Sequence, residues 1–166
     1  GIGFARFARP NPQLIFSRQA VVAPYRGITG FMFRLANARS SQLVEVEAKV
    51  SLSRRGADGR REFYELPLER HRVAFFPLSW TVVHPIDAAS PLRSVTAEQL
   101  RASDAEFLVL LSGYDETSSA TVHVRSSYKA HEVVYDAKFR NILDTSADGV
   151  VRIDIRGIHD IEAAGS

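Results

Sequence analysis

The chain contains no cysteine, which excludes a disulfide framework and a thiolate metal site together. It has no signal-peptide pattern and no run of about 18 apolar residues that would cross a bilayer as a helix. Taken alone, these absences give the expectation of a soluble, cytoplasmic chain. Lysine is scarce, at 49, 129 and 138 only, so arginine supplies nearly all of the 21 basic residues. Arginine suits bidentate contacts to carboxylate or phosphate, although GC-rich coding is the blander source of the bias. A net charge of +2 gives no electrostatic case for a nucleic-acid partner.

Enzyme signatures are missing as well. The histidines at 71, 84, 123, 131 and 159 are scattered, with no HExxH spacing. There is no GxSxG, no P-loop and no GxGxxG, and no spacing selects a Ser-His-Asp set. The residues therefore point away from catalysis.

What is present is strand pattern. At 166 residues, 45% apolar and 24% charged, the chain has the length and composition of one globular domain. Residues 103–143 organise it. Ala105 to Leu111 is apolar on both alternating sets, which predicts a strand covered on both faces, at a sheet centre or in an assembly. Thr121 to Arg125 alternates, with Val122 and Val124 facing one way and Thr121, His123 and Arg125 the other. Gly113 to Ser119 reads as the polar link between them.

Further strands are expected near 14–16, 20–23, 29–37, 42–53, 62–68, 72–76, 80–84 and 150–155. In the run 42–53, Val44, Val46, Ala48, Val50 and Leu52 are expected on one face, with Glu45, Glu47, Lys49 and Ser51 on the other. Asp58-Gly59 and Asp148-Gly149 signal hairpin turns. The four arginines at 54, 55, 60 and 61 read as a solvated hairpin end, with phosphate or acidic lipid as the sharper alternative. Pro85 and Pro91 mark a loop, and Thr96-Ala-Glu-Gln99 has capping-box spacing for a short helix to about Ala102. Short strands, close turns and one helix argue an all-β sandwich.

The stretch LSGYDETSSATVHVRSSYKAHEVVYDAKFRNIL resembles the cytoplasmic domain of inward-rectifier potassium channels, the bacterial members above all. FARFARP at 4–10, FMFRLANARSSQLVEVEA at 31–48 and VVHPIDAASPL at 82–92 agree in the same order. The resemblance implies an immunoglobulin-like β-sandwich over 14–160, the end of an inner transmembrane helix and linker over 1–13, and a tail over 161–166. It implies a homotetramer on the cytoplasmic face of the inner membrane, around a conduit for potassium as permeant ion, with no cofactor. It also carries the broader label of voltage-gated channel.

Site residues follow from the same resemblance. Arg6 and Arg9 match positions that contact phosphoinositide headgroups, where each basic residue near an anionic surface gains about 1 kcal/mol. An ordinary basic anchor beside a helix is the alternative. Beyond Pro10, eukaryotic relatives carry a basic cluster where this chain has Asn11, Pro12 and Gln13, a smaller lipid site. Phe4 falls where a ring of four phenyl groups would close a pore by dewetting, with lipid or helix packing as its alternative. Glu116, Thr117, Ser118, Ser119 and Ala120 match a flexible loop forming a second constriction.

Glu45 and Glu116 match acidic pore-lining positions, which in a fourfold assembly attract potassium and blocking polyamines. Either glutamate alone reads as a solvated strand face. The family's further acids fall near 69–72, where this chain reads Glu-Arg-His-Arg, so weaker polyamine block is expected. His84, Pro85, Ile86 and Asp87 match a gating loop near the membrane. The rival from another class is a soluble β-sandwich binding or adhesion module.

Overall fold

A computed structural model of the chain describes residues 14–38 and 42–165. Its strands, in chain order, begin with β1 (Leu14–Phe16), β2 (Ala20–Tyr25), β3 (Ile28–Asn37), β4 (Leu43–Arg55) and β5 (Arg61–Leu66). Then come β6 (Arg72–Phe75), β7 (Ser79–Ile86), helix α1 (Ala97–Ala102), β8 (Glu106–Asp115) and β9 (Ala120–Lys129). Short strands finish the chain: β10 (Val133–Tyr135), β11 (Ala137–Phe139), β12 (Leu143–Thr145), β13 (Val151–Ile153) and β14 (Ile161–Ala163). The last of these pairs antiparallel with β11, so residues 161–163 belong to the sheet structure and are not a loose tail.

Two five-stranded sheets make the sandwich. One runs β1-β3-β2-β10, with β7 added on the other side of β3; the second runs β5-β4-β8-β9, with β6 continuing along β4 beyond β5. Alternation builds the core between them. Phe31, Phe33 and Leu35 of β3 face Ala48, Val50 and Leu52 of β4 and Phe107, Val109 and Leu111 of β8, all buried in one cluster. Burying a side chain of this size contributes about 1.5–3 kcal/mol. Aromatic rings tie the sheets: Phe31 stacks on Phe107 at 4.2 Å between centroids, and Phe33 packs on Tyr128 of β9 at 5.4 Å. The Tyr128 hydroxyl donates to the Ser17 carbonyl at 2.8 Å, giving its one polar atom a partner inside the core.

The capping box is present: Gln99 N–H donates to the Thr96 hydroxyl and the Gln99 side chain accepts from Thr96 N–H. Leu100 buries the one apolar side of this short helix. Gly59 and Gly149 take positive φ (82° and 80°) at the two Asp-Gly turns, the conformation those turns require.

Three expectations change. β8 continues through Gly113 and Tyr114 to Asp115, so the link to β9 is only residues 116–119. Pro85 lies inside β7, opposite Gly30. Among the described residues β7 pairs with one strand, β3, and a residue without an N–H donor is tolerated on such an edge. In β4, the alternation breaks: Leu43 and Val46 are buried, while Val44 is only half-buried.

Candidate functional site

The break in β4 is a β-bulge. Val44 pairs with Tyr114 and Glu47 with Ser112, so Glu45 and Val46 together stand opposite the single residue Gly113. Glu45 takes up the extra length with φ 50°, a left-handed conformation unusual for a residue with a side chain. Leu43 therefore turns into the core where Val44 was expected, and Glu45 is left exposed.

The same register fixes the neighbours of Glu45. Leu43 pairs with Asp115, the last residue of β8, and Asp115 pairs with Ala120 across the turn. Glu45 and the turn Glu116–Ala120 thus lie at one end of the same sheet, although some seventy residues separate them in sequence. Glu116, Thr117, Ser118, Ser119 and Ala120 are all exposed. Asp115 is buried and its Oδ1 accepts from Thr117 N–H at 2.9 Å, which sets the turn, while Ser119 closes it with φ 53°.

Next to this acidic end, the outer face of the sheet carries residues that did not stand out in the sequence. Tyr114 and Phe75, both opposite Val44, are exposed aromatics. Glu47 lies directly opposite Arg72 of β6, and Arg72 Nη2 donates to Glu47 Oε2 at 3.2 Å. The sequence held the opposite charges, but only the β4–β6 register brings them together.

The segment 84–87 is mostly strand. His84, Pro85 and Ile86 end β7, and Asp87 opens the turn, its Oδ1 accepting from Ala89 N–H at 3.0 Å and its carbonyl from Ser90 N–H at 3.1 Å. His84, the first residue of the segment matched to a gating loop, is a core position, 2% exposed. Nδ1 lies 2.6 Å from the Pro67 carbonyl, which can only accept, so Nδ1 carries the proton. Nε2 then accepts from the Ser90 hydroxyl at 2.7 Å, and Ser90 Oγ accepts from Leu92 N–H at 3.1 Å. Burial lowers the imidazole's pKa, outweighing the Pro67 carbonyl and Asp87, which act the other way.

Arg34 is a residue that sequence reasoning missed. Its place between Phe33 and Leu35 reads as the outward face of β3, yet it is 5% exposed because the chain's last segment covers it. Nε donates to Ile158 O at 2.8 Å, Nη1 to Arg140 O at 2.6 Å and Nη2 to Gly157 O at 2.7 Å. Phe139 lies under the guanidinium at 4.7 Å.

Phe4, Arg6 and Arg9 lie outside the described residues. Among the described residues no group of three His, Asp or Glu side chains is placed to hold a metal ion, and no helix is long and apolar enough to cross a membrane.

The sequence of residues 14–165 matches the family model for the inward rectifier potassium channel C-terminal domain. The chain is 38% identical over 162 residues to the inward rectifier potassium channel Kirbac3.1 of Paramagnetospirillum magnetotacticum, covering 95% of this chain and 55% of that protein. It is 35% identical over 173 residues to the human G protein-activated inward rectifier potassium channel 3, covering 96% and 43%. To the human ATP-sensitive inward rectifier potassium channel 8 it is 31% identical over 159 residues, covering 90% and 37%. The chain belongs to the inward-rectifier potassium channel family and forms its C-terminal domain. It spans about half the length of the curated relatives it matches. The family is one of channels, not enzymes, and the voltage-gated label does not apply to inward rectifiers.

Proposed function

We propose that this domain is the cytoplasmic, pore-extending and regulatory part of an inward-rectifier potassium channel of the inner membrane, acting as a homotetramer. Four copies surround an aqueous conduit, potassium is the permeant ion, and no cofactor takes part. The observation that carries the reading is the β4–β8 register, which gathers Glu45 and the turn Glu116–Ala120 at one end of the sheet. Repeated around a fourfold axis, such an end becomes rings of carboxylates that concentrate cations and admit polyamine block. The small side chains Ser118, Ser119 and Ala120 allow four turns to approach one another as a constriction.

On this reading Phe4 forms the gate at the end of the inner helix, and Arg6 and Arg9 bind an anionic, phosphoinositide-like lipid. The segment His84, Pro85, Ile86 and Asp87 couples that lipid to the constriction. Its support is the rigid imidazole bridge from β7 to Pro67 and Ser90, which makes the turn after β7 move with the sheet.

The test is potassium-driven rubidium uptake into liposomes by the full-length protein, with and without phosphoinositide. Uptake that changes with lipid and loses that response in Arg6→Ala and Arg9→Ala supports the whole reading. Uptake indifferent to both retains the channel and removes the lipid site. Absence of uptake by a full-length product that lacks membrane spans overturns the conduit role and favours a binding module.

A further inference from the structure

We infer that Arg72 masks a third acid of the conduit wall, Glu47, and so limits how tightly a polyvalent cation is held there. This rests on the reading above, that the acidic end of the β4–β8 sheet lines a cation pathway. Glu47 stands two residues from Glu45 on β4, and it belongs to the outer face: Val46 and Ala48 beside it are buried, whereas its partners across the sheet are Ser112 and Arg72. The Arg72 guanidinium closes on its carboxylate at 3.2 Å. Opposite charges at that separation form a dipole, whose field at a cation several ångströms away is far weaker than that of a lone carboxylate. Glu45 and Glu116, by contrast, have no ion-pair partner among the described residues.

The pair is not needed to hold β6 in place. Its side chains are 57% and 28% exposed, where ion pairs contribute little to stability. The β4–β6 contact has its own backbone bond, Ala48 N–H to His71 O at 2.8 Å, and a core contact through Val46 and Val73. Arg72 is thus a specificity-determining position: its charge subtracts from the wall without supporting the fold. Removing it uncovers one carboxylate per copy and deletes one positive charge per copy, both in the direction of tighter cation binding.

The experiment measures block by cytoplasmic spermine in excised patches containing the full-length channel. Arg72→Gln is expected to tighten block by about tenfold or more, because fields from all copies add on the axis. Glu47→Gln, which leaves Arg72 unopposed, is expected to weaken it. The double variant and the reversed pair Glu47→Arg with Arg72→Glu are both expected to return close to the original affinity. Arg101→Gln, an equal charge change on exposed helix α1, is expected to leave block unchanged. If Glu45→Gln weakens block while Arg72→Gln leaves it unaltered, or if Arg101→Gln matches Arg72→Gln, the masking role is overturned and the conduit reading stands. If neither Glu45→Gln nor Glu116→Gln alters block, the conduit reading itself fails, and this one with it.

Discussion

Gly113 lies opposite the bulge made by Glu45 and Val46, and a Cβ on it would stand 3.1 Å from Val46 Cγ2. The bulge that exposes Glu45 therefore depends on a glycine across the ladder, since two β4 residues must crowd against one β8 residue. Gly113→Ala should destabilise the fold by about 1–3 kcal/mol, the usual range for overpacking. Val46→Ala in the same chain should recover part of that loss by opening the space. Urea unfolding of the single and double variants checks this; equal stability of Gly113→Ala and the parent would show that the bulge yields without cost.

The left-handed backbone at Glu45 costs about 1–2 kcal/mol for a residue with a Cβ. Glycine relieves that strain but loses about 0.5–1 kcal/mol of chain entropy, so Glu45→Gly should be neutral or more stable by up to about 1.5 kcal/mol. A β-branched residue fits worst, and Glu45→Val should lose more than about 1 kcal/mol. The same Glu45→Gly chain should bind cytoplasmic spermine more weakly. Greater stability with weaker block would identify a carboxylate held in place against backbone strain. Loss of stability in Glu45→Gly would refute that account.

His84 gives a pH dependence whose sign is set by burial. Its folded-state pKa lies below the ordinary value of about 6.5, so the unfolded chain binds the proton first as pH falls. The stability it contributes is complete above the unfolded pKa and is lost as pH falls from there towards the depressed folded value. In structural terms, a protonated Nε2 can no longer accept from Ser90 and donates to its oxygen instead, so the hydroxyl proton loses its acceptor. Unfolding free energy measured at pH 7.5 and at 5.5 should drop in the parent, and less in His84→Gln. An identical drop in both would assign the pH effect to other groups.

How much of this was legible in the sequence depends on the range of each cause. The capping box at Thr96 and Gln99, and the turns at Gly59 and Gly149, act over four residues and could be read directly. The run Ala105 to Leu111 announced a strand but not its inner face, because both alternating sets are apolar; the structure buries Phe107, Val109 and Leu111 and leaves Leu110 exposed on this chain. The bulge was hidden because Leu43 and Val44 are both apolar, so either could occupy the core position, and only pairing with β8 decides between them. The gathering of Glu45 with Glu116 entered through family resemblance, not through any local pattern. Pro85 read as a loop because its missing donor is a local fact, whereas the edge position of β7 that makes it harmless is a property of the sheet. Glu47 with Arg72, and Arg34 with the carbonyls beyond residue 139, are joined by register and by chain return, which periodicity does not encode.

Arg34 holds that chain return in place. Its guanidinium donates to Ile158 O, Arg140 O, Gly157 O and, at 3.3 Å, Asp160 O, so one side chain gathers both ends of the excursion that contains β12 and β13. Burial pulls its pKa down and nearby Asp160 raises it, yet arginine stays charged. Gly157 can pass beneath Ile142 because it has no Cβ, which would come within 2.9 Å of Ile142 Cγ2. Arg34→Met fills most of the space but leaves four carbonyls short of a donor, and should cost about 3–5 kcal/mol, since each buried acceptor left unpaired costs about 1–3 kcal/mol. Arg34→Lys keeps the charge without the planar fork and should recover only a fraction. Hydrogen exchange locates the damage. The amides of Arg140, Asp154 and Asp160, which bond within this excursion, should exchange faster in Arg34→Lys, while those of β4 and β8 keep their protection. Uniformly faster exchange across both sheets would mean that Arg34 supports the whole sandwich and not the return of its last segment.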